Sequence, residues 1–351
     1  VRSRRSLAAV VGLVAASALT LAGCASEEPA ASGDATPSAD ASGATDEFPL
    51  TIEHALGETT IEAAPERVAT WGWGSTEAAI AAGVFPVAVA EQTWTVGEGN
   101  LLPWVEEAYD EAGVEHPTVL TDAEAGATVP YEEFAAAEPD VIIATYSGIT
   151  QEQYDLLSEI APTVAYPDGP WQTSWEDTIT TTSAALGRSD AGEEVLAGVD
   201  DYFAGLADEH PEFEGQTIAA IWDSPELDAV YVYNSSDARA GFLERLGFTT
   251  APAVDELDTT NGEAFTYTLS YEELDKLESD VVVNYSQTEE LAAESVKRPE
   301  LQALPAVKAG KLAQLAGTIP VSSVGPPTAL SYDYPDGVPA LVNELAAVLS
   351  E

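Results

Sequence analysis

Residues 131–143 read Tyr-Glu-Glu-Phe-Ala-Ala-Ala-Glu-Pro-Asp-Val-Ile-Ile, and residues 271–283 read Tyr-Glu-Glu-Leu-Asp-Lys-Leu-Glu-Ser-Asp-Val-Val-Val. Tyr, Glu, Glu, Glu, Asp and Val recur in step, with Phe/Leu and Ile/Val exchanges between them. Each copy predicts a short helix with an acidic first turn, suited to the positive end of the helix dipole. A β-branched run follows, as expected of a strand covered on both faces. Each strand then opens into a polar-aromatic loop, Tyr146-Ser147-Gly148 in one copy and Asn284-Tyr285-Ser286 in the other. A unit written twice implies an α/β chain of two lobes.

The rest of the pattern agrees. Leu50-Thr51-Ile52 and Thr59-Thr60-Ile61 alternate around Gly57 and predict a hairpin. Val68-Ala69-Thr70 predicts a strand, followed by the loop Trp71-Gly72-Trp73-Gly74-Ser75 and a helix ended by Gly83. Val84–Ala90 predicts the next strand. Ser174–Leu186 and Ser189–Glu209 read as helices, the second with Val195, Val199, Phe203 and Leu206 along one stripe. A helix of that length spans about 30 Å, enough to bridge two lobes. The second lobe restarts at Thr217–Ile221 and Val230–Tyr233. Its loop Asn234–Arg239 and the helix ended by Gly247 echo the order of the first lobe. Strands alternating with helices imply parallel sheets, with ligands at the carboxyl ends of the strands.

The amino end does not belong to this fold. Arg2, Arg4 and Arg5 precede an apolar run from Leu7 to Leu19, the pattern of a secretory signal. Leu21-Ala22-Gly23-Cys24 is a bacterial lipobox, in which the thiol of Cys24 takes a diacylglycerol. Ala25 to Glu47 is Ala, Ser, Gly, Pro, Thr and acids, too poor in apolar surface to fold. Such a tether reaches about 25–30 Å. The expected organisation is 1–24 signal and lipobox, 25–47 tether, 48–173 first lobe, 174–210 helical segment and 211–351 second lobe. Cys24 is the lone cysteine, so no disulfide or thiolate metal site holds the body together. The formal net charge of −49 repels nucleic acid and anionic membranes.

Catalytic signals are poor. The three histidines, His54, His116 and His210, lie outside the loops that follow strands and are too few for a His-rich zinc site. There is no Gly-x-Ser-x-Gly elbow and no phosphate loop. A surface-anchored hydrolase would need a nucleophile–base pair that the sequence does not supply. The loops after strands are rich in aromatics instead: Trp71, Trp73, Trp94, Tyr146, Trp171, Trp222 and Tyr285. Any one of these rings is as readily a packing residue. Together they argue for a cleft that grips a large, partly apolar guest on rigid ring surfaces.

Lipobox, tether, two α/β lobes and a bridging helix resemble the substrate-binding lipoproteins of ABC importers. The resemblance is closest to the class III iron–siderophore and cobalamin group, two Rossmann-like lobes joined by a single long helix. Local matches run through most of 48–351, among them Ala64-Pro65-Glu66-Arg67-Val68, Glu138–Ile143, Phe242–Phe248, Leu269–Leu274 and Pro305–Lys311. The resemblance implies a non-enzymatic receptor with no cofactor of its own, anchored to the outer face of the cell membrane. It would capture a ferric siderophore and hand it to an ABC permease dimer with its ATPase. It implies docking by one glutamate per lobe, Glu132 and Glu272 by position, with Glu133 and Glu273 as rivals. A preference of acids for helix starts would explain the same residues. The ligand would rest on the Trp and Tyr faces, oriented by Gln172, Arg239 and Asn284. With Arg239 the one cation placed in the cleft, neutral or cationic hydroxamate chelates fit better than anionic catecholates. A cobalamin or haem receptor, or a lipoprotein sensor, would look similar. A monomer is the default for such receptors.

Overall fold

The computed structural model describes residues 43–92, 101–122, 126–326 and 328–350. Cys24, Trp94, the expected signal and most of the expected tether lie outside these residues. No described helix is long and apolar enough to cross a membrane.

The first lobe opens with the expected hairpin, β1 (Leu50–His54) and β2 (Gly57–Ile61), paired antiparallel with Leu50 opposite Ile61. Short apolar runs then build a five-stranded parallel sheet from β3 (Val68–Thr70), β4 (Ala88–Ala90), β5 (Thr118–Leu120), β6 (Val141–Ile143) and β7 (Thr163–Val164). The strand order is β5-β4-β3-β6-β7. Chain progression therefore runs outward in both directions from β3. The carboxyl ends of β3 and β6 flank the topological switch point, where such sheets leave a crevice. Helices Ser75–Ala81, Pro103–Ala112, Tyr131–Ala137 and Gln151–Ser158 cover the sheet. Ile61 of the hairpin packs with Val68, Val141 and Ile143.

In the second lobe the strands are β8 (Thr217–Ser224), β9 (Ala229–Tyr233), β10 (Thr249–Thr250), β11 (Thr266–Ser270), β12 (Val281–Ser286) and β13 (Leu312–Ala316). The order is β11-β9-β8-β12-β13, with β10 alongside β8. The expectation of a parallel sheet is corrected here. β9 runs antiparallel to both β8 and β11, because Pro225–Leu227 with Asp228 at φ +50° folds β8 straight back on itself. A connection this short permits only an antiparallel neighbour.

The repeat survives at the level of single contacts. Asp140 accepts hydrogen bonds from the backbone N–H groups of Glu66 and Arg67, just before β3. Asp280 accepts them from the N–H and hydroxyl of Thr217, at the start of β8. Phe134 and Leu274, at matching repeat positions, are both fully buried. The copies differ in their helices: Tyr131–Ala137 is α-helical, whereas Tyr271–Lys276 is a 3-10 turn. Ala135-Ala136-Ala137 favours the α-helix more than Asp275-Lys276-Leu277 does.

The long helix spans Ser189–Glu209, as its stripe predicts. Val199 and Phe203 enter one continuous core. It runs from Ala78 of the first lobe through Trp175 and Ile179 to Ile218, Phe242, Val283 and Leu341 of the second. Burying side chains of this kind contributes about 1.5–3 kcal/mol each. The expected tether ends early, since Thr45 donates to the carbonyl of Gly187, and Asp46 accepts from the N–H and hydroxyl of Ser189. Asp46 thus serves the otherwise unpaired donors at the start of the long helix. The lobes also meet through residues 318–326 and 328–334, whose Ile319, Leu330 and Tyr334 pack on Ile80, Leu102, Trp104, Val105 and Tyr109 of the first lobe.

Candidate functional site

The first wall is built at the switch point. The backbone N–H of Trp71 donates to the carbonyl of Ile143 at 2.8 Å, and that of Trp73 donates to the carbonyl of Tyr146 at 3.0 Å. Gly72 between them sits at φ +86°, and a Cβ there would collide with the carbonyl oxygen of Tyr146. Only glycine permits so close a crossing. The turn sends the two indoles opposite ways. Trp71 is 0 % exposed, packed edge-on to Phe134 at 5.7 Å, so the expectation that it lines the cleft is corrected: it is core. Trp73 instead joins Tyr146 and Trp171, with ring centroids 5.4–6.1 Å apart. Trp171 is held at φ +60° by an N–H bond to the carbonyl of Ser147. Its indole lies over Gly148, where any side chain would clash with it. Three of the seven sequence-predicted rings therefore form one cluster.

The opposite wall comes from the second lobe. Asp237 caps the helix Ala238–Arg245, accepting the Arg239 N–H at 2.8 Å. The same carboxylate takes the Arg239 guanidinium at 2.7 Å. That guanidinium also donates to the carbonyl of Gly325 and lies 4.3 Å above the Tyr233 ring. Burial works against the charge, but the Asp237 carboxylate outweighs it and holds the guanidinium firmly protonated. Tyr285 is buried beside Tyr233 at 5.8 Å. Burial raises the phenols of Tyr285 and, across the cleft, Tyr146, which feels Asp237, Arg239 and Tyr233. Arg239 Nε and the Tyr285 hydroxyl are buried without hydrogen-bond partners.

Arg239 is not the one cation at this end of the second lobe. Arg298 lies 2.9 Å from Asp223, whose buried carboxylate also accepts from the hydroxyls of Tyr271 and Ser295. Both arginines are thus matched by an aspartate. Trp222, half-buried, lines a cavity of about 140 Å³ with Asp223, Ser286, Gln287 and Arg298. Asn284 is corrected to a structural role: fully buried, it accepts from the Asp223 N–H and donates to Ser286 within its own lobe. Gln172 does reach the cleft mouth, where its amide donates to the Gly262 carbonyl of the other lobe at 3.0 Å.

Among the described residues, two small cavities of about 10 Å³ lie beside Trp73. One is lined by Trp73, Glu77, Gln92, Leu102, Ser322, Pro326 and Thr328, the other by Trp73, Tyr146, Trp175, Thr178, Pro326 and Thr328. A broader groove of about 690 Å³ opens at the far end of the second lobe, around Thr217, Lys276 and Asp280. It faces the amino ends of the strands, away from the aromatic walls.

Sequence reasoning missed Tyr233, Asp237, Arg298 and Glu77. Asp237 was legible as an N-cap two residues before Arg239. Nothing in the sequence marks Glu77, buried in the middle of a short helix. The charged residues of the repeat divide cleanly. Glu133 bonds the N–H and hydroxyl of Thr121, and Glu273 pairs with Lys276. Glu132 and Glu272 are exposed. Both follow strand carboxyl ends. Register puts Ser270 beside Ala229 and Ala229 beside Ser224, so the end of β11 lies level with the end of β8 on the cleft side.

Comparison with known proteins agrees with this architecture. Residues 68–317 match the family described as periplasmic binding protein. The "Probable siderophore-binding lipoprotein YfiY" of Bacillus subtilis is 28% identical over 252 residues, 70% of this chain and 72% of the relative. The "Fe(3+)-citrate-binding protein YfmC" of the same organism is 25% identical over 260 residues, 73% of this chain and 75% of the relative. The crystal structure of Streptococcus pneumoniae TIGR4 PiaA in complex with ferrichrome superposes with a TM-score of 0.77 at 31% identity, covering 86% of this chain and 99% of that one.

Proposed function

The chain belongs to the periplasmic binding protein family, and we propose that it is the extracytoplasmic receptor of an ABC importer, capturing a ferric siderophore and releasing it unaltered to the permease. Its family is one of binding proteins, and its role is binding without catalysis. The observation that carries the ligand class is the charge balance of the cleft. A wall of Trp73, Tyr146 and Trp171 faces a second-lobe end where Arg239 and Arg298 are each matched by an aspartate. Such a surface has no cationic charge to spare for a multiply anionic chelate. It suits a neutral or cationic hydroxamate chelate resting on the rings. The relatives include proteins named for a siderophore and for ferric citrate, and a structure holding ferrichrome, a neutral trihydroxamate.

In this reading Trp73, Tyr146, Trp171, Trp222, Arg239 and Tyr285 contact the ligand. Arg239 Nε and the Tyr285 hydroxyl, both unpartnered, supply the donors that a chelate's carbonyl oxygens need. The lobes part by a small amount to admit it, since a stiff helix and the packed residues 318–326 and 328–334 join them. Glu132 and Glu272 dock on the two permease subunits, an arrangement favoured because their neighbours Glu133 and Glu273 are already engaged. Cys24 carries the lipid anchor, in keeping with relatives named as lipoproteins.

Tryptophan-fluorescence titration with ferrichrome, ferric citrate, haem and cobalamin tests the reading. Saturable quenching by ferrichrome at the lowest concentration is expected. Tightest binding of haem or cobalamin would replace it, and tighter ferric citrate would refute the charge argument.

A further inference from the structure

One cleft group is left unused by this reading. Glu77, in the helix Ser75–Ala81, is 2 % exposed. The Trp104 indole N–H donates to its Oε1 at 3.1 Å, and Thr328 lines the same cavity. No arginine, lysine or histidine among the described residues pairs with it, whereas Asp223 and Asp237 each hold a guanidinium. A buried acid without a cation is costly to keep ionised, and burial accordingly raises its pKa. The cavity that it lines has room, at about 10 Å³, for one group the size of a water molecule. Around that space stand Trp73, Gln92, Ser322 and Thr328. A carboxylate, an indole and hydroxyl oxygens make up an ammonium-binding set: charge, ring quadrupole and acceptors. An ammonium head is the size of a water molecule.

We propose that Glu77 is a specificity residue whose carboxylate takes a protonated primary amine carried by the ferric chelate. The cleft then prefers a cationic hydroxamate chelate to a neutral one with the same iron-binding groups. This deepens the siderophore reading and rests on it. When the amine arrives, any proton held on Glu77 passes to solvent, and the carboxylate gains the partner that it otherwise lacks.

The test compares ferrioxamine B, which bears one free amine, with its N-acetyl derivative, on the wild-type protein and on Glu77→Gln. The wild type is expected to bind the amine form about 10- to 100-fold more tightly, the worth of a charge-assisted contact. Glu77→Gln should bring the ratio near one while leaving affinity for the acetylated chelate within about twofold. That unchanged affinity is also the check that the variant is folded. A wild-type ratio near one overturns the proposal without recourse to any variant. A ratio that persists in Glu77→Gln assigns the amine to another group and overturns it too. Binding of neither hydroxamate chelate by the wild type overturns the siderophore reading and this inference together.

Discussion

Asp237 binds Arg239 twice over, capping its backbone N–H at 2.8 Å and its guanidinium at 2.7 Å, with both side chains buried at the face of the second lobe. One carboxylate therefore starts a helix and cancels the charge of the arginine that the helix presents. The pair makes the cleft polar without making it cationic.

Replacing Asp237 by Asn should unbalance that face in two measurable ways. Breaking a buried pair by removing one partner costs about 3–5 kcal/mol, so the thermal midpoint should fall. The freed guanidinium should at the same time raise affinity for ferric citrate relative to ferrichrome by about tenfold. A folded variant with an unchanged citrate-to-ferrichrome ratio would remove the charge argument.

The two indoles either side of Gly72 should separate cleanly under mutation. Trp73→Ala or Trp171→Ala is expected to weaken ferrichrome binding by about 10- to 100-fold, as loss of a ring anchor does, with a modest change in the melting temperature. Trp71→Ala should do the reverse. It opens a cavity in the first-lobe core at about 3–5 kcal/mol, and its effect on ligand affinity should follow unfolding alone. Calorimetric melts and titrations on the three variants check this.

Charge reversal at Glu132 and Glu272 should leave ligand capture intact and abolish delivery. The double Lys variant is expected to bind ferrichrome within about twofold of wild type while ferric uptake in cells falls by about tenfold or more. Reversal at Glu133, which ties down Thr121, should act through stability instead. Uptake unaffected by the double reversal would move the docking surface elsewhere.

Glu77 gives a pH signature. Burial raises its pKa in the folded chain above the unfolded value. Its neutral form is thus favoured by folding, and the stability that it contributes is full at acid pH and lost as pH rises through the folded pKa. Glu77→Gln removes that liability. The variant should exceed the wild type by about 1–2 kcal/mol near pH 8, the gap closing as pH falls toward 4, as denaturant melts across that range would record.

Much of this was legible in order along the chain. Local spacing alone located the hairpin at Gly57, the Ser189–Glu209 helix and the duplicated helix–strand unit, because periodicity and turn residues act over a few neighbours. The aromatic content of the loops after strands was legible for the same reason. Which way each ring faces was not. Trp71 and Trp73 are two residues apart and look alike in sequence, and a close crossing of β3 and β6 backbone sends one into the core and the other into the cleft.

Sequence by itself determined that two α/β lobes with ring-bearing loops would form, since those features follow from local pattern and from a doubling that any reader can see. Tertiary structure decided the charge of the cleft. Asp223 meets Arg298, Asp237 turns back on Arg239, and Glu77 is enclosed by Trp104 and Thr328 from distant parts of the chain. Whether a charge is paired, and so what it can bind, depends on distances between residues that only folding brings together.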